Sequence, residues 1–193
     1  MRSKTLRIAA LLALAAALTG TAATASAAAP PPSPAAETTA HIKGWGRLDY
    51  PVAGNDIRVT VDARAAFTKD GTFPTRSEGT LRLSHEMTQP DGASRTYWAE
   101  LEVDCMTRGG PNATVTGRIV AASNNPADAN YPEDPFQAML KDHVRLGMSF
   151  YVAGRNGGPS RVGLSGVADK TLSKCMAPAP SSEIVKGGFS LKS

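Results

Sequence analysis

From His41 onward, hydrophobic and polar residues alternate with a period of two. In Ile57-Arg58-Val59-Thr60-Val61-Asp62-Ala63-Arg64-Ala65-Ala66-Phe67 every odd position is apolar and nearly every even one is polar. That is the pattern of a strand with one buried face. It recurs at Leu81, Leu83 and Met87, at Tyr97, Ala99, Leu101, Val103 and Cys105, and at Val115, Gly117 and Ile119. Further on it returns at Val144, Leu146, Met148, Phe150 and Val152, at Val162 and Leu164, and at Val185, Phe189 and Leu191; another strand is expected around Ile42 to Leu48. Turn chemistry separates the runs: Asp70-Gly71, Pro90-Asp91-Gly92, Gly109-Gly110-Pro111 and Asn156-Gly157-Gly158-Pro159. A helix of one or two turns is expected after Asp134, an N-cap residue followed by Pro135, with Phe136, Met139 and Leu140 at helical spacing.

About eight short strands with one apolar face each must close on themselves to bury those faces, so the fold class is all-β with one short helix. An antiparallel barrel is the first choice because neighbouring strands follow as hairpins; a sandwich is the alternative. A carrier of lipocalin type would need an open lumen, but the inward residues are numerous and medium-sized, which predicts a filled interior.

The N-terminus changes the picture of where the chain works. Arg2, Lys4 and Arg7 precede an apolar run from Ile8 to about Leu18, and Ala25-Ser26-Ala27 follows. The run is too short to span a bilayer, which takes roughly 20 residues, and fits a cleavable secretory signal over residues 1–27. Ser3 separates the first two basic residues, so no twin arginine is present. Residues 28–40, rich in Pro and Ala, read as an extended or disordered tether, which leaves residues 41–193 for a single β domain. No second hydrophobic stretch follows that could span a membrane. The domain is expected to be extracellular and monomeric.

The formal charge of +4 belongs largely to the signal. Its three basic residues are taken from 21, leaving 18 against 17 acidic ones. A near-neutral mature chain argues against a nucleic-acid partner and an anionic membrane surface. Cys105 and Cys175 are the only cysteines, and an isolated pair in an exported chain is most simply a disulfide.

Candidate chemistry is sparse. Gly163-Leu164-Ser165-Gly166 resembles a nucleophile elbow, but Val167 stands where the second glycine belongs, so Ser165 reads as an ordinary strand serine. His85-Glu86-Met87 lacks the second His of a zinc helix, and nothing makes His41, His85 and His143 converge. Asp128, Glu133 and Asp134, with Asn124, Asn125 and Asn130, lack the spacing and glycine of a calcium loop. No cofactor is implied. Asn112-Ala113-Thr114 matches a glycosylation sequon, which matters only where that pathway exists.

One constellation stands out. Trp98, Glu100, Glu102 and Asp104 share one strand face opposite the core. A Trp beside carboxylates suits a carbohydrate or peptide platform. Alternatively, Arg58, Arg64 or Arg82 from neighbouring strands pairs with these acids and covers the indole. A third use, as a hydrolase working through carboxylates such as Glu100 and Glu102, needs the two to flank a cleft, which residues two apart on one strand do not by themselves supply.

The runs Glu78 to Met87, Tyr97 to Cys105 and His143 to Tyr151, with Cys175-Met176-Ala177-Pro178, resemble a family of secreted actinobacterial proteins labelled "repetin" or "Tat pathway signal sequence domain protein". The resemblance implies export, a β fold and the disulfide, and carries over no catalytic residue. The expectation is a secreted, non-enzymatic binding or envelope-associated module.

Overall fold

The alternating stretches do form strands, and they close into a barrel. A computed structural model describes residues 37–128, 131–154, 157–166 and 172–192. Among them are β1 (Glu37–Leu48), β2 (Asn55–Thr68), β3 (Arg76–Thr88), β4 (Ser94–Gly109), β5 (Asn112–Ala122), α1 (Pro135–Lys141), β6 (Arg145–Tyr151), β7 (Arg161–Leu164) and β8 (Ser182–Lys192). Each strand pairs antiparallel with the next, and β8 returns to pair with β1. Closure removes the unpaired edges that an open sheet would expose. The leader and residues 28–36 of the expected tether lie outside the described residues, as do Asn130, Asn156 and Val167. The tether ends earlier than its composition suggests, because Glu37, Thr38, Thr39 and Ala40 already pair with Thr68, Phe67, Ala66 and Ala65. Threonine suits a strand, and the long β2 offers a partner that composition alone does not reveal.

Period two decides what lies inside. Ile42, Val59, Leu81, Leu101, Ile119, Met148 and Phe150 come from six successive strands and are all almost fully buried. They meet in one apolar cluster. Burying such a side chain contributes roughly 1.5–3 kcal/mol, an upper figure because the unfolded chain also hides some surface.

Between β5 and β6 the chain forms α1, whose Phe136 and Met139 are buried in the same cluster. The helix starts where its cap predicts. Asp134 Oδ1 accepts from the Phe136 amide at 2.9 Å, and Pro135 occupies the first turn. Its end is a Schellman motif: the His143 amide donates to Leu140 and the Val144 amide to Met139. His143 therefore adopts φ 49°, a conformation that favours glycine. His143→Gly should stabilise the protein by about 0.5–1 kcal/mol in urea unfolding; the bond from Arg118 Nη1 to the His143 carbonyl survives the change because it uses the backbone.

Three bulges break the alternation, and in the first of them Val120 of β5 is the extra residue, because Ala121 faces Glu100 but Ile119 faces Leu101. In β4, Val103 faces Gly117 but Cys105 faces Thr116, so Asp104 is the extra residue. Cys105 consequently turns outward and Met106 takes the core position expected for it. In β8, Lys186 pairs with Arg47 and Ile184 with Leu48, so Val185 is extra. Ile184 is buried, and Val185, expected in the core, is half exposed.

The outward turn of Cys105 sets up a covalent clasp. It bonds to Cys175 across a separation of 70 residues, with the two Cα atoms 5.3 Å apart. Cys175 belongs to a strap, residues 172–181, that crosses the outer face of β6 and β7 on its way to β8. Gly147 and Gly163 allow the close approach: a Cβ would stand 2.4 Å from the Met176 carbonyl oxygen at the first and 2.3 Å from that of Ala179 at the second. Covered by the core on one side and the strap on the other, β6 is buried on both faces. Past the strap the chain enters β8, whose pairing with β7 is the shortest in the barrel. There β7 meets β8 only through Arg161 with Glu183 and Val162 with Ser182, aided by a bond from the Ile184 amide to Ser160.

Candidate functional site

The face carrying Trp98, Glu100 and Glu102 forms as parity predicts, and Arg82 occupies it. On β3, Arg82 lies opposite Glu100, and Ser84 opposite Trp98. The Arg82 guanidinium stacks 4.1 Å from the centre of the indole and sits 3.4 Å from Glu100 Oε2. A cation over an aromatic ring at a partly exposed site contributes about 0.5–1 kcal/mol. Trp98 is therefore half-buried, with the Arg82 head over it. Arg58 instead forks onto Asp56, with both bonds at 3.0 Å. Arg64 approaches Asp62 at 4.0 Å. Glu102 is exposed, opposite Thr80 and Arg118, and makes no ion pair among the described residues.

Asp104, the fourth acid of that face, is the bulge residue and works elsewhere. It accepts from Thr116 Oγ1 at 2.6 Å and from Arg145 Nε at 2.8 Å. Thr116 Oγ1 in turn accepts from the Cys175 amide at 3.2 Å, and Arg145 reaches the Leu172 carbonyl at 3.4 Å. The bulge thus ties the strap to the barrel beside the disulfide.

The remaining candidates hold structure together. Ser165 Oγ accepts from the Gly147 amide at 2.9 Å, and the Ser165 amide returns a bond to Gly147 at 3.0 Å. Asp128 accepts from Arg95 at 3.0 Å, from the Tyr97 hydroxyl and from the Tyr131 amide at 2.8 Å. Burial, with the donated bond to Asp128 adding, raises the Tyr97 phenol above its usual range. Asp134 accepts from the Asn125 amide and side chain, and Glu133 pairs with Lys141. Among the described residues no three His, Cys, Asp or Glu gather as a metal would require.

The histidines lie apart. His85 meets Asn55 Oδ1 at 2.6 Å and packs edge-on against Tyr50. Burial pushes its imidazole below the ordinary value of 6.5. The unfolded chain therefore takes up a proton near that pH, while the folded one waits for a lower pH, so stability is full above about 6.5 and falls as the solution is acidified through that window. Urea midpoints at pH 7.5 and pH 5.5 should differ less for His85→Gln than for the parent chain.

His41 belongs to a different surface, which the linear pattern did not single out. Outward positions of β8, β1 and β2 lie side by side in rows. Lys186, Arg47 and Arg58 form one row; Gly188, Trp45 and Thr60 the next; then Ser190, Lys43 and Asp62; then Lys192, His41 and Arg64. Asp62 Oδ1 lies 2.7 Å from His41 Nε2, and Lys43 approaches Asp62 at 3.4 Å. The hydrogen bond from His41, with Lys43 adding, holds the Asp62 carboxyl below its usual value. Beyond this row opens a groove of about 430 Å³ bordered by Thr39, His41, Arg64, Arg76, Glu78 and Lys192, with Ala66 among its residues. The signal for this face is present in His41-Ile42-Lys43-Gly44-Trp45-Gly46-Arg47, whose odd positions carry every charge and the Trp. Its neighbours could not be read because the β8 bulge shifts the register.

No protein-family model matches the chain, and no curated protein or solved structure matches it either.

Proposed function

We propose that the mature chain is an exported, non-enzymatic binding module, free or held at the cell envelope, that takes its ligand on the outside of the barrel. The observation that carries this reading is the interior: Ile42, Leu81, Leu101, Ile119, Met148 and Phe150 occupy the space in which a carrier would hold its cargo. Of the two acids that the hydrolase alternative needs, Glu100 answers Arg82, and Glu102 stands two residues along the same strand opposite Thr80 and Arg118, with no carboxylate facing it. Export is supported by the signal-like leader, by the resemblance to secreted actinobacterial proteins and by the disulfide, a bond that persists in oxidising compartments. No helix among the described residues is long and apolar enough to cross a membrane.

The test is to incubate the disulfide-intact protein with ester, glycoside and peptide substrates. No turnover above the blank is expected. A rate abolished by Glu100→Gln or Glu102→Gln would overturn the non-enzymatic reading.

A further inference from the structure

Charge on this barrel is segregated although the total nearly cancels. Outward on β8, β1 and β2, the six cations Lys186, Lys192, Lys43, Arg47, Arg58 and Arg64 outnumber the four acids Glu37, Asp56, Asp62 and Glu183, the last of which answers Arg161 on β7, whereas β4 presents Glu100, Glu102 and Asp104. A near-neutral sum therefore does not describe the field that a ligand meets at either face.

In the middle of the basic face stands Trp45, 44% exposed. Its exposure has a structural cause. The residues beside it across the sheet are Thr60 and Gly188, both small, and Gly187 comes so close to the indole that a side chain there would meet the ring at 3.1 Å. Nothing comparable to Arg82 over Trp98 is found over Trp45 among the described residues. One row away lie the three cations Arg47, Arg58 and Lys186. Three rows from those, Lys192, His41 and Arg64 border the groove. The strand rise puts the two basic rows about 20 Å apart, with the indole between them.

Resting on the binding-module reading above, we propose that the outer face of β8, β1 and β2 binds an acidic polysaccharide, a chain of sugars bearing spaced carboxylates. The arrangement matches that chemistry part by part. The indole offers an apolar plane to a sugar ring. The two basic rows receive carboxylates at separated points, with the charge-assisted bonds that arginine makes best. Asp56 and Asp62 lie among the cations, and Glu78 lines the groove, where they accept bonds from sugar hydroxyls. The same acids would repel duplex DNA, with one charge per ~1.7 Å of axis, or a bilayer rich in anionic lipid, so spaced charge fits better than dense charge.

The test is calorimetry of the full mature protein with hyaluronate oligosaccharides, which carry a carboxylate on every second sugar. Dextran, duplex DNA and phosphatidylglycerol vesicles serve as comparisons. Hyaluronate should bind with an affinity that falls as salt rises, and dextran should not. Trp45→Ala should weaken binding about tenfold and Trp45→Phe should recover part of it. A double Arg47→Gln, Arg64→Gln variant, which keeps the ring and takes one cation from each basic row, should weaken binding about as much and flatten the salt dependence, and it decides the matter should Trp45→Ala fold poorly. Preference for DNA or vesicles, equal binding of dextran, or indifference to these substitutions would overturn the assignment. So would no binding at all; that outcome, with turnover still absent, would leave the broader non-enzymatic reading standing, whereas cleavage of hyaluronate would remove the broader reading itself.

Discussion

Replacing both Cys105 and Cys175 by alanine should cost about 4 kcal/mol of unfolding free energy, the chain-entropy value for a loop of 70 residues. Against the 5–15 kcal/mol that holds a typical domain together, this is a large share of the total. The loss has a local side as well. The disulfide anchors the strap that covers β6 and β7 and leads into the thinly paired β8, and the bonds from Arg145 to Leu172 and from the Cys175 amide to Thr116 depend on the strap staying in place. Limited proteolysis of the variant should therefore cut first within residues 172–181, before the hairpins of β2, β3 and β4 give way. Alanine is the right replacement at 105, because a serine there would bury a hydroxyl at a position with no exposure. A shift below 1 kcal/mol, with unchanged protease resistance in the strap, would contradict this account of the clasp.

The second large effect is expected at Phe150. Its ring is fully buried, lies across from Ala113 and Val162, and meets Phe189 edge-on with centroids 5.0 Å apart. Phe150→Ala removes the largest of the fully buried side chains and should cost about 3–5 kcal/mol, because small neighbours such as Ala113 cannot move in to refill the space. The urea midpoint should fall with little change in slope, as for a loss of packing without a change of fold. The cavity so made is apolar and should stay dry, so benzene should raise the melting temperature of the variant and leave that of the parent unchanged. That contrast would show that the interior holds cargo only after a side chain has been taken out.

How far the sequence could be read depends on which rule governed each residue. Where strands run without interruption, as in β2, parity alone orients every side chain, and Ile57, Val59, Val61, Ala63, Ala65 and Phe67 all face inward. The cap at Asp134 was equally legible, being a local device. Cys105 and Val185 were misplaced because a bulge inserts one residue and reverses parity downstream of it, and period two carries no mark of that insertion. The first strand starts at Glu37 instead of around Ile42 because pairing with β2 outweighs the composition of its flank. At the candidate site, the covering of Trp98 by Arg82 was legible as one of three arginines, since any of Arg58, Arg64 and Arg82 had the right parity. Only the register, which sets Arg82 opposite Glu100, selects between them. The face around Trp45 could not be read because its rows join β1 to β8, far apart in sequence, through a pairing that exists only once the barrel closes.

On the proposed reading, a packed interior leaves only the outside of this barrel for binding. Native mass spectrometry of the protein, purified without detergent and after exposure to a mixed lipid extract, tests it most directly. The account predicts a single species at the mass of the disulfide-linked polypeptide, with no acyl-chain adduct. A stoichiometric lipid that survives transfer to the gas phase and is lost when the chain is unfolded would contradict it.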